Sequence, residues 1–130
     1  MALVNPVGPL SIGVGQGDGS VQIWTWDLTT AEPIGTAVQV PEYADRTWSV
    51  KSASTGGATL KLEGSNTDVT ADYAPMHDAA VPANTSWTGV PQCIATVENP
   101  RYARPNLTTV GSGATWTVTL CARRANPLRQ

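Results

Sequence analysis

The sequence is poor in charged residues and contains no phenylalanine. Lys, Arg, Asp and Glu make up 14% of its 130 residues, against about 25% in an average soluble domain. The formal net charge is −2, and Lys51 and Lys61 are the only lysines. Nucleic-acid binding needs a basic surface, so this class of partner is excluded. So few charges also favour a component of a larger assembly, in which neighbouring proteins cover part of the surface.

Long apolar runs and metal-ligand clusters are also missing. No apolar run approaches the roughly 18 residues of a membrane-spanning helix, so we expect no membrane contact. Residues 1–6 lack the basic start and the continuous apolar stretch of a signal peptide, and we expect none. Cys93, Cys121 and His77 are too few and too scattered for the tetrahedral ligand set of a structural zinc site.

Motifs of catalytic and nucleotide-binding sites are absent as well. The glycines between Gly13 and Gly19 do not form a dinucleotide-binding fingerprint, and no phosphate-binding loop with its lysine is present. A calcium loop needs more acidic residues than Asp18 in that stretch. His77 precedes Asp78, but adjacent side chains on an extended chain point apart, so sequence adjacency does not make them a catalytic pair. We expect His77 to be a histidine of a surface loop. We therefore expect no enzymatic activity and no cofactor.

What the sequence does contain is a series of short strand patterns separated by glycine and proline. They occupy segments 21–27, 35–40, 46–54, 58–65, 93–97, 102–110 and 115–123. Apolar residues do not recur at helical spacing over more than a turn. About seven to nine short strands of this kind predict an all-β antiparallel sandwich. Their outward positions carry mostly Ser and Thr, which suits a wide, flat contact of low charge.

Two local patterns predict how strands are placed. Residues 46–54 and 58–65 alternate on either side of Ser54-Thr55-Gly56-Gly57, which predicts a β-hairpin with a Gly-Gly turn. Pro105 interrupts segment 102–110. Because proline has no N–H for the ladder, it predicts an edge strand or a bulge.

The first 20 residues combine many glycines with aliphatic side chains. These aliphatics are Leu3, Val4, Val7, Leu10, Ile12 and Val14. We interpret residues 1–20 as a flexible N-terminal arm that contacts a partner through them; the alternative is a first strand of the domain with loose ends. The sandwich domain is expected over residues 21–125 and a C-terminal tail over residues 126–130.

The tryptophans and cysteines carry further predictions. Trp48 and Trp116 lie on the apolar side of good strand patterns and are predicted to be core residues. Trp24 and Trp26 share one face of a strand, for which a core position is favoured over a partner contact. Trp87 lies in a proline-rich connection and is predicted to be an exposed partner contact.

Strand parity also predicts the state of the two cysteines. Cys121 has the opposite parity to Trp116 and is predicted to point outward, whereas Cys93 shares the parity of Ala95 and Val97 and is predicted to point inward. Side chains on opposite faces cannot meet disulfide geometry, so both cysteines are predicted to be free.

Three segments resemble a family of small virion proteins of tailed bacteriophages, some of which are capsid cement (decoration) proteins. They read Gly-Gly-Ala-Thr-Leu-Lys-Leu-Glu-Gly-Ser-Asn over 56–66, Pro-Arg-Tyr-Ala-Arg-Pro over 100–105, and Gly-Ser-Gly-Ala-Thr-Trp-Thr-Val-Thr-Leu over 111–120. The resemblance covers roughly residues 46–122. It departs after Asn66, where the family tends to have an Asp-Gly turn and an aromatic residue, while this chain reaches its next aromatic at Tyr73.

The resemblance implies a jelly-roll-like sandwich without catalytic activity that assembles on a protein shell. We therefore predict a capsid cement protein on the virion surface, assembled in the host cytoplasm. It would bridge neighbouring major capsid subunits and form a dimer or trimer. The alternative is a carbohydrate- or receptor-binding module of a phage tail or spike, with Trp87, Tyr73 or Tyr102 as a sugar platform; a hydrolase is a third, weaker hypothesis.

Overall fold

The computed structural model of the protein describes residues 3–12, 21–41, 43–88 and 91–124, without the side chains of residues 10–12. These residues form eleven strands and one short 3₁₀ helix over Thr70–Asp72. The strands are β1 (Leu3–Val4), β2 (Val7–Ile12), β3 (Val21–Thr29), β4 (Ile34–Gly35), β5 (Val38–Gln39), β6 (Asp45–Ser54), β7 (Thr59–Ser65), β8 (Ala74–Pro75), β9 (Gln92–Ile94), β10 (Tyr102–Thr108) and β11 (Thr115–Arg123). Across these described stretches, no helix has the length and apolar character needed to cross a membrane.

The strands form two sheets that pack face to face. Sheet A has the order β1-β4-β10-β7-β8, with β5 also paired to β10, and sheet B has the order β2-β3-β11-β6-β9. All strand pairs of sheet B are antiparallel, and among the described pairs of sheet A only β1 and β4 run parallel. The protein is therefore an all-β sandwich, which confirms the predicted fold class.

Strand β11 lies at the centre of sheet B. It pairs over its whole length with β3 on one side and with β6 on the other. Trp116, Val118 and Leu120 point inward and are buried, while the residues between them are half-exposed or exposed. The regular alternation of this segment therefore predicts both the strand and its buried face.

Tryptophans fill the space between the sheets in place of phenylalanine. The Trp26 indole stacks on that of Trp48, with ring centroids 5.9 Å apart. The indole N–H of Trp26 donates to the carbonyl of Thr36 at 2.9 Å, and that of Trp116 donates to the carbonyl of Thr55 at 3.1 Å. These two buried indoles keep a hydrogen-bond partner, whereas the buried indole N–H of Trp48 has none among the described residues. The predicted core positions of four tryptophans are confirmed: Trp24, Trp26, Trp48 and Trp116.

The predicted β-hairpin at residues 54–57 is wrong, although the turn is present. Strand β6 belongs to sheet B and β7 to sheet A, so the chain crosses between the sheets here. Gly56 and Gly57 have φ angles of +57° and +69°, which glycine adopts without steric cost. The N–H of Ala58 donates to the carbonyl of Thr55 at 3.0 Å. Alternating apolar and polar residues on both sides of a turn are compatible with a crossover between two sheets as well as with a hairpin. The local pattern therefore does not distinguish the two.

The prediction that Pro105 marks an edge strand is also wrong. Strand β10 lies inside sheet A, paired with β7 on one side and with β5 and β4 on the other. Residues 34–38, which run from β4 to β5, face residues 103–106 of β10. They contain one residue more than the stretch they face, so the bulge lies in residues 34–38 and not in β10. The N–H of Leu107 donates to Pro33 on that side. By the two-residue period the nitrogen of Pro105 faces the same side, where the ladder is already interrupted.

Residues 3–12 belong to the sandwich rather than to a separate arm. Strand β1 pairs with β4, and β2 pairs with β3. The N–H of Thr36 also donates to the carbonyl of Val4 at 2.8 Å. This differs from the prediction of a flexible arm over residues 1–20; of the glycines on which that prediction rests, only Gly8 lies within residues 3–12. Residues 13–20 and the predicted tail over residues 126–130 lie outside the described chain.

Candidate functional site

The outward side chains of sheet B form a regular surface, which we call the threonine face. None of its members is buried. They are Val7 of β2, Val21, Ile23, Thr25 and Asp27 of β3, Thr117, Thr119, Cys121 and Arg123 of β11, Asp45, Thr47, Ser49 and Lys51 of β6, and Cys93 of β9.

The strand register arranges the threonine face into four rows that cross the strands. Two middle rows carry no charge: Thr25, Thr119, Ser49 and Cys93 form one, and Ile23, Cys121 and Thr47 form the other. Two end rows carry the charges: Asp27, Thr117 and Lys51 form one, and Val21, Arg123 and Asp45 form the other. An uncharged centre therefore lies between two charged ends.

Hydroxyl groups of the threonine face bond to one another along the rows. The hydroxyls of Thr25 and Thr119 lie 3.2 Å apart, and the hydroxyl of Thr117 donates to Asp27 Oδ1 at 3.2 Å. Covering a polar group costs free energy unless it keeps a hydrogen bond. These bonds lower the cost of placing a partner over the face.

The charges of the two end rows differ in their pairing. Arg123 Nε lies 3.4 Å from Asp45 Oδ2, and both side chains are more than half exposed. Lys51 and Asp27 form no ion pair with any residue that the structure describes. Two strand spacings separate them, or about 10 Å. Lys51 and Asp27 are therefore the charges available to a partner.

Both cysteines lie on the threonine face. Cys121 is half-buried and points outward, as predicted. The inward prediction for Cys93 is wrong: Cys93 is exposed, and Ile94 takes the buried position. Strand β6 separates the two cysteines, about 10 Å across the sheet, beyond the Cα separation of about 7 Å that a disulfide allows. Both are free, as predicted, but the reason is distance on one face rather than opposite faces.

Exposed aliphatic side chains mark the two flanks of the sandwich. One flank is closed by β1 and β2, where Leu3 is 51% and Val7 72% exposed. The opposite flank holds β8, β9 and the loops beside them, where Val81 is 57% and Val97 54% exposed. Val69, between β7 and β8, is also exposed on this second side. Exposed apolar side chains therefore lie at both edges of the sandwich, and the register with Thr25 turns Val7 toward the threonine face.

The residues predicted to bind a partner divide into three groups. Leu3 and Val7 are exposed on the first flank. Val4 is half-buried and packs against the core. The side chains of Leu10 and Ile12 lie outside the described residues.

Trp87 is a core residue, and the prediction of an exposed contact is wrong. It is 4% exposed, and its backbone exchanges two 2.9 Å hydrogen bonds with Leu60 of β7. Its indole N–H lies 3.4 Å from Asp78 Oδ2. The backbone N–H of Ala80 and then this indole hold the pKa of the Asp78 carboxyl below its usual range. A single bridge to β7 is enough to turn Trp87 inward, although the proline-rich segment has no strand periodicity.

The tyrosines considered as sugar platforms are covered by arginines. The Arg104 guanidinium lies 4.0 Å from the centroid of the Tyr73 ring, and Arg101 lies 5.4 Å from that of Tyr102. The hydroxyl of Tyr73 donates to Asp68 Oδ1 at 2.7 Å. Burial and this bond raise the pKa of Tyr73 above its usual value. A sugar ring would have to displace these cation–π contacts.

The outer face of sheet A carries a buried polar network, which we call the Glu63 network. Glu63 and Arg104 are each 8% exposed. Arg104 Nε donates to Glu63 Oε1 at 3.0 Å, and Asn106 Nδ2 donates to Glu63 Oε2 at 3.0 Å. Tyr73 covers the guanidinium from outside. Each carboxylate oxygen of Glu63 has a donor inside the protein.

His77 pairs with Glu98 and joins two loops at the second flank. Glu98 Oε1 accepts from the backbone N–H of His77 at 2.8 Å, and Oε2 lies against Nδ1 of its ring. Burial opposes ionisation of Glu98, but the bonds from His77 outweigh it and hold the pKa of the carboxyl below its usual range. In the described part of the chain, no three His, Cys, Asp or Glu side chains are placed to hold a metal ion.

The four charged residues in the end rows of the threonine face were not predicted from the sequence as functional residues. Asp27, Asp45, Lys51 and Arg123 each occupy an outward strand position, which alternation alone indicates. Their grouping into end rows depends on which strands pair and in what register. Comparison with known proteins adds no assignment, since no family model, curated protein or solved structure matches the chain.

Proposed function

We propose that the protein is a non-enzymatic capsid cement protein of a tailed bacteriophage. It binds the outer surface of the capsid and bridges neighbouring major capsid subunits to stabilise the head. Its location is the surface of the virion, after assembly in the host cytoplasm, and no cofactor, nucleic acid or membrane takes part. The jelly-roll strand order that the sequence resemblance implies is part of this proposal.

The two apolar flanks are the observation that carries the proposal. A bridge needs separate contact sites, and the exposed aliphatics lie at opposite edges of the sandwich: Leu3 and Val7 at one, Val81 and Val97 at the other. Burial of this apolar surface contributes about 25 cal/mol per Å², less the cost of ordering the contact.

The polar groups of the sandwich favour binding over catalysis. The sole histidine, His77, pairs with Glu98 and ties two loops together. Catalysis by a triad would need a nucleophile within hydrogen-bond reach of the imidazole, and no bond from a Ser, Thr or Cys side chain to His77 is present among the described residues. The covered tyrosines and the buried Trp87 count against the alternative of a sugar-binding module.

The copy number of the protein in purified particles tests the proposal. Particles of the phage that encodes this chain are analysed by quantitative mass spectrometry against the major capsid protein. A cement protein is expected in a fixed, simple ratio to that protein. A ratio typical of a tail tip favours the receptor-binding alternative, and absence from the particle contradicts both.

The flanks are tested in the same particles. Leu3→Asp and Val97→Asp each place a charge on one flank, and each is expected to lower occupancy and the temperature at which heads release their DNA. Lys61→Glu, on the outer face of sheet A, is the matched control and is expected to bind as wild type. Unchanged occupancy of both flank variants would contradict the role of the flanks.

A further inference from the structure

The charges of the threonine face are complementary to a second copy of the same face. One end row carries Asp27 on β3 and Lys51 on β6, and the other carries Arg123 on β11 and Asp45 on β6. Consider two such faces in contact, related by a two-fold axis that runs across the strands between the two middle rows. Each end row then lies over the opposite end row of the other copy.

We propose that the threonine face is a homodimer interface, occupied by a second copy of this chain across that axis. The inference goes beyond the capsid-binding function, because it concerns the purified chain alone. It leaves the second flank, with Val81 and Val97, free for other contacts, while Val7 lies at the β2 edge of the interface.

In this arrangement the charges pair across the interface. Lys51 lies over Asp45 of the second copy, because β6 lies over β6 with its direction reversed. Asp27 lies over Val21 of the second copy, one strand spacing from Arg123 of that copy. Symmetry repeats each contact, so Lys51 and Asp27 gain opposite charges nearby, which they lack as ion-pair partners among the described residues of their own chain. Opposite charges set the register of an interface in this way.

The charges also bear on the other simple two-fold arrangement, which has its axis along β11. That axis would pair Lys51 with Asp27 of the second copy, but it would place Arg123 directly over Arg123 of the second copy, and like charges facing each other are destabilising. We therefore place the axis across the strands, where no two like charges face each other.

The middle rows complete the contact without any charge. Thr119 lies over Cys121 of the second copy, and Ser49 lies over Thr47. Strand spacings and rises give the face, including the β2 edge, a footprint of about 19 Å by 20 Å. The two copies together contribute about 760 Å², which is below the roughly 1,200 Å² of standard specific interfaces, so we expect a weak dimer with a dissociation constant in the micromolar range or above.

Charge reversal with complementation tests the interface. The full chain is studied by sedimentation velocity across the micromolar range as wild type, Lys51→Glu and Asp45→Lys. Each variant places like charges over each other twice in its own dimer, and we expect dimerisation to weaken at least tenfold. A mixture of the two variants restores both pairs, so we expect a heterodimer of about wild-type affinity.

Two controls accompany the sedimentation experiment: a check that the variants are folded, and a charge reversal on the other sheet. Lys51 and Asp45 are exposed, so far-UV circular dichroism is expected to show both variants folded. Lys61→Glu, which changes the other lysine, is expected to dimerise as wild type. The proposal is overturned by a wild type that stays monomeric, by variants that dimerise like wild type, or by a mixture that fails to associate.

Discussion

The two sheets of the sandwich have outer faces of opposite character. On sheet A, the Glu63 network buries its charges and pairs them within the chain. On sheet B, the threonine face is uncharged at its centre and leaves Lys51 and Asp27 without ion pairs among the described residues. A face whose polar groups are already paired within the chain gains little binding free energy from a partner. The outer face of sheet A is therefore structural, and that of sheet B carries the proposed dimer interface.

The largest expected effect is on the core that both sheets share. Trp116→Ala removes a fully buried indole and is expected to lower the free energy of unfolding by about 3–5 kcal/mol. Total stability is about 5–15 kcal/mol for a domain of this kind, so the variant loses at least about a fifth of it. Trp87→Ala is expected to fall in the same range, because Trp87 is also buried. Urea unfolding followed by circular dichroism measures both, and a loss below about 1 kcal/mol at either site contradicts that burial.

The next effect separates the two outer faces directly. Glu63→Gln leaves the buried Arg104 without its counter-charge and is expected to cost about 3 kcal/mol. Asp45→Asn is the matched change on the threonine face, and it removes an exposed ion pair worth less than about 1 kcal/mol. Urea unfolding of the two variants checks the difference. Equal losses of unfolding free energy in the two variants would contradict the difference between a structural face and a binding face.

A smaller effect concerns the pH dependence at the second flank. The pKa of Glu98 is lowered in the folded state, so its ionised form stabilises the fold above the usual glutamate pKa. This contribution is lost as pH falls through the lowered value. Glu98→Gln is therefore expected to be less stable than wild type at about pH 7, with a gap that closes towards about pH 3. A gap that is constant with pH, measured by urea unfolding, would contradict this role of the pair with His77.

The smallest effect on stability is expected at the centre of the threonine face. Thr119→Lys places a long charged side chain outward, where the free energy of unfolding is expected to change by about 1 kcal/mol or less. Two charges then meet at the centre of the dimer, so association in sedimentation velocity is expected to be lost. Thr108→Lys, on the outer face of sheet A, is the matched control and is expected to associate as wild type. Association of Thr119→Lys with wild-type affinity would contradict the interface.

The sandwich and most of its core could be predicted from the sequence because both depend on local alternation. In segment 115–123 every second residue is apolar, and those residues are the ones buried in β11. The features that were missed depend on contacts between distant parts of the chain. Trp87 is turned inward by Leu60, and Pro105 is tolerated because a neighbouring segment bulges at that point.

The candidate site was predictable only in its composition. Alternation places Thr117, Thr119 and Cys121 on one outward face, and the scarcity of charge predicts a surface suited to contact. The rows that bring Asp27 level with Lys51 require β3, β11 and β6 to be neighbours. Strand order and register are set by packing of the whole sandwich, so no local pattern of these segments contains the row arrangement.

Cysteine alkylation tests most directly which outer face is covered, since Cys93 and Cys121 both lie on the threonine face. The rate of maleimide addition at each cysteine is measured by mass spectrometry below and above the dimer concentration, with Lys61→Cys as the reporter on sheet A. The proposed dimer predicts that Cys121 reacts more slowly with maleimide at high protein concentration in wild type but not in Lys51→Glu. The thiol introduced on sheet A is expected to react at the same rate at both protein concentrations. Protection of the sheet A thiol, or a Cys121 rate that does not change with concentration, would contradict the proposed dimer.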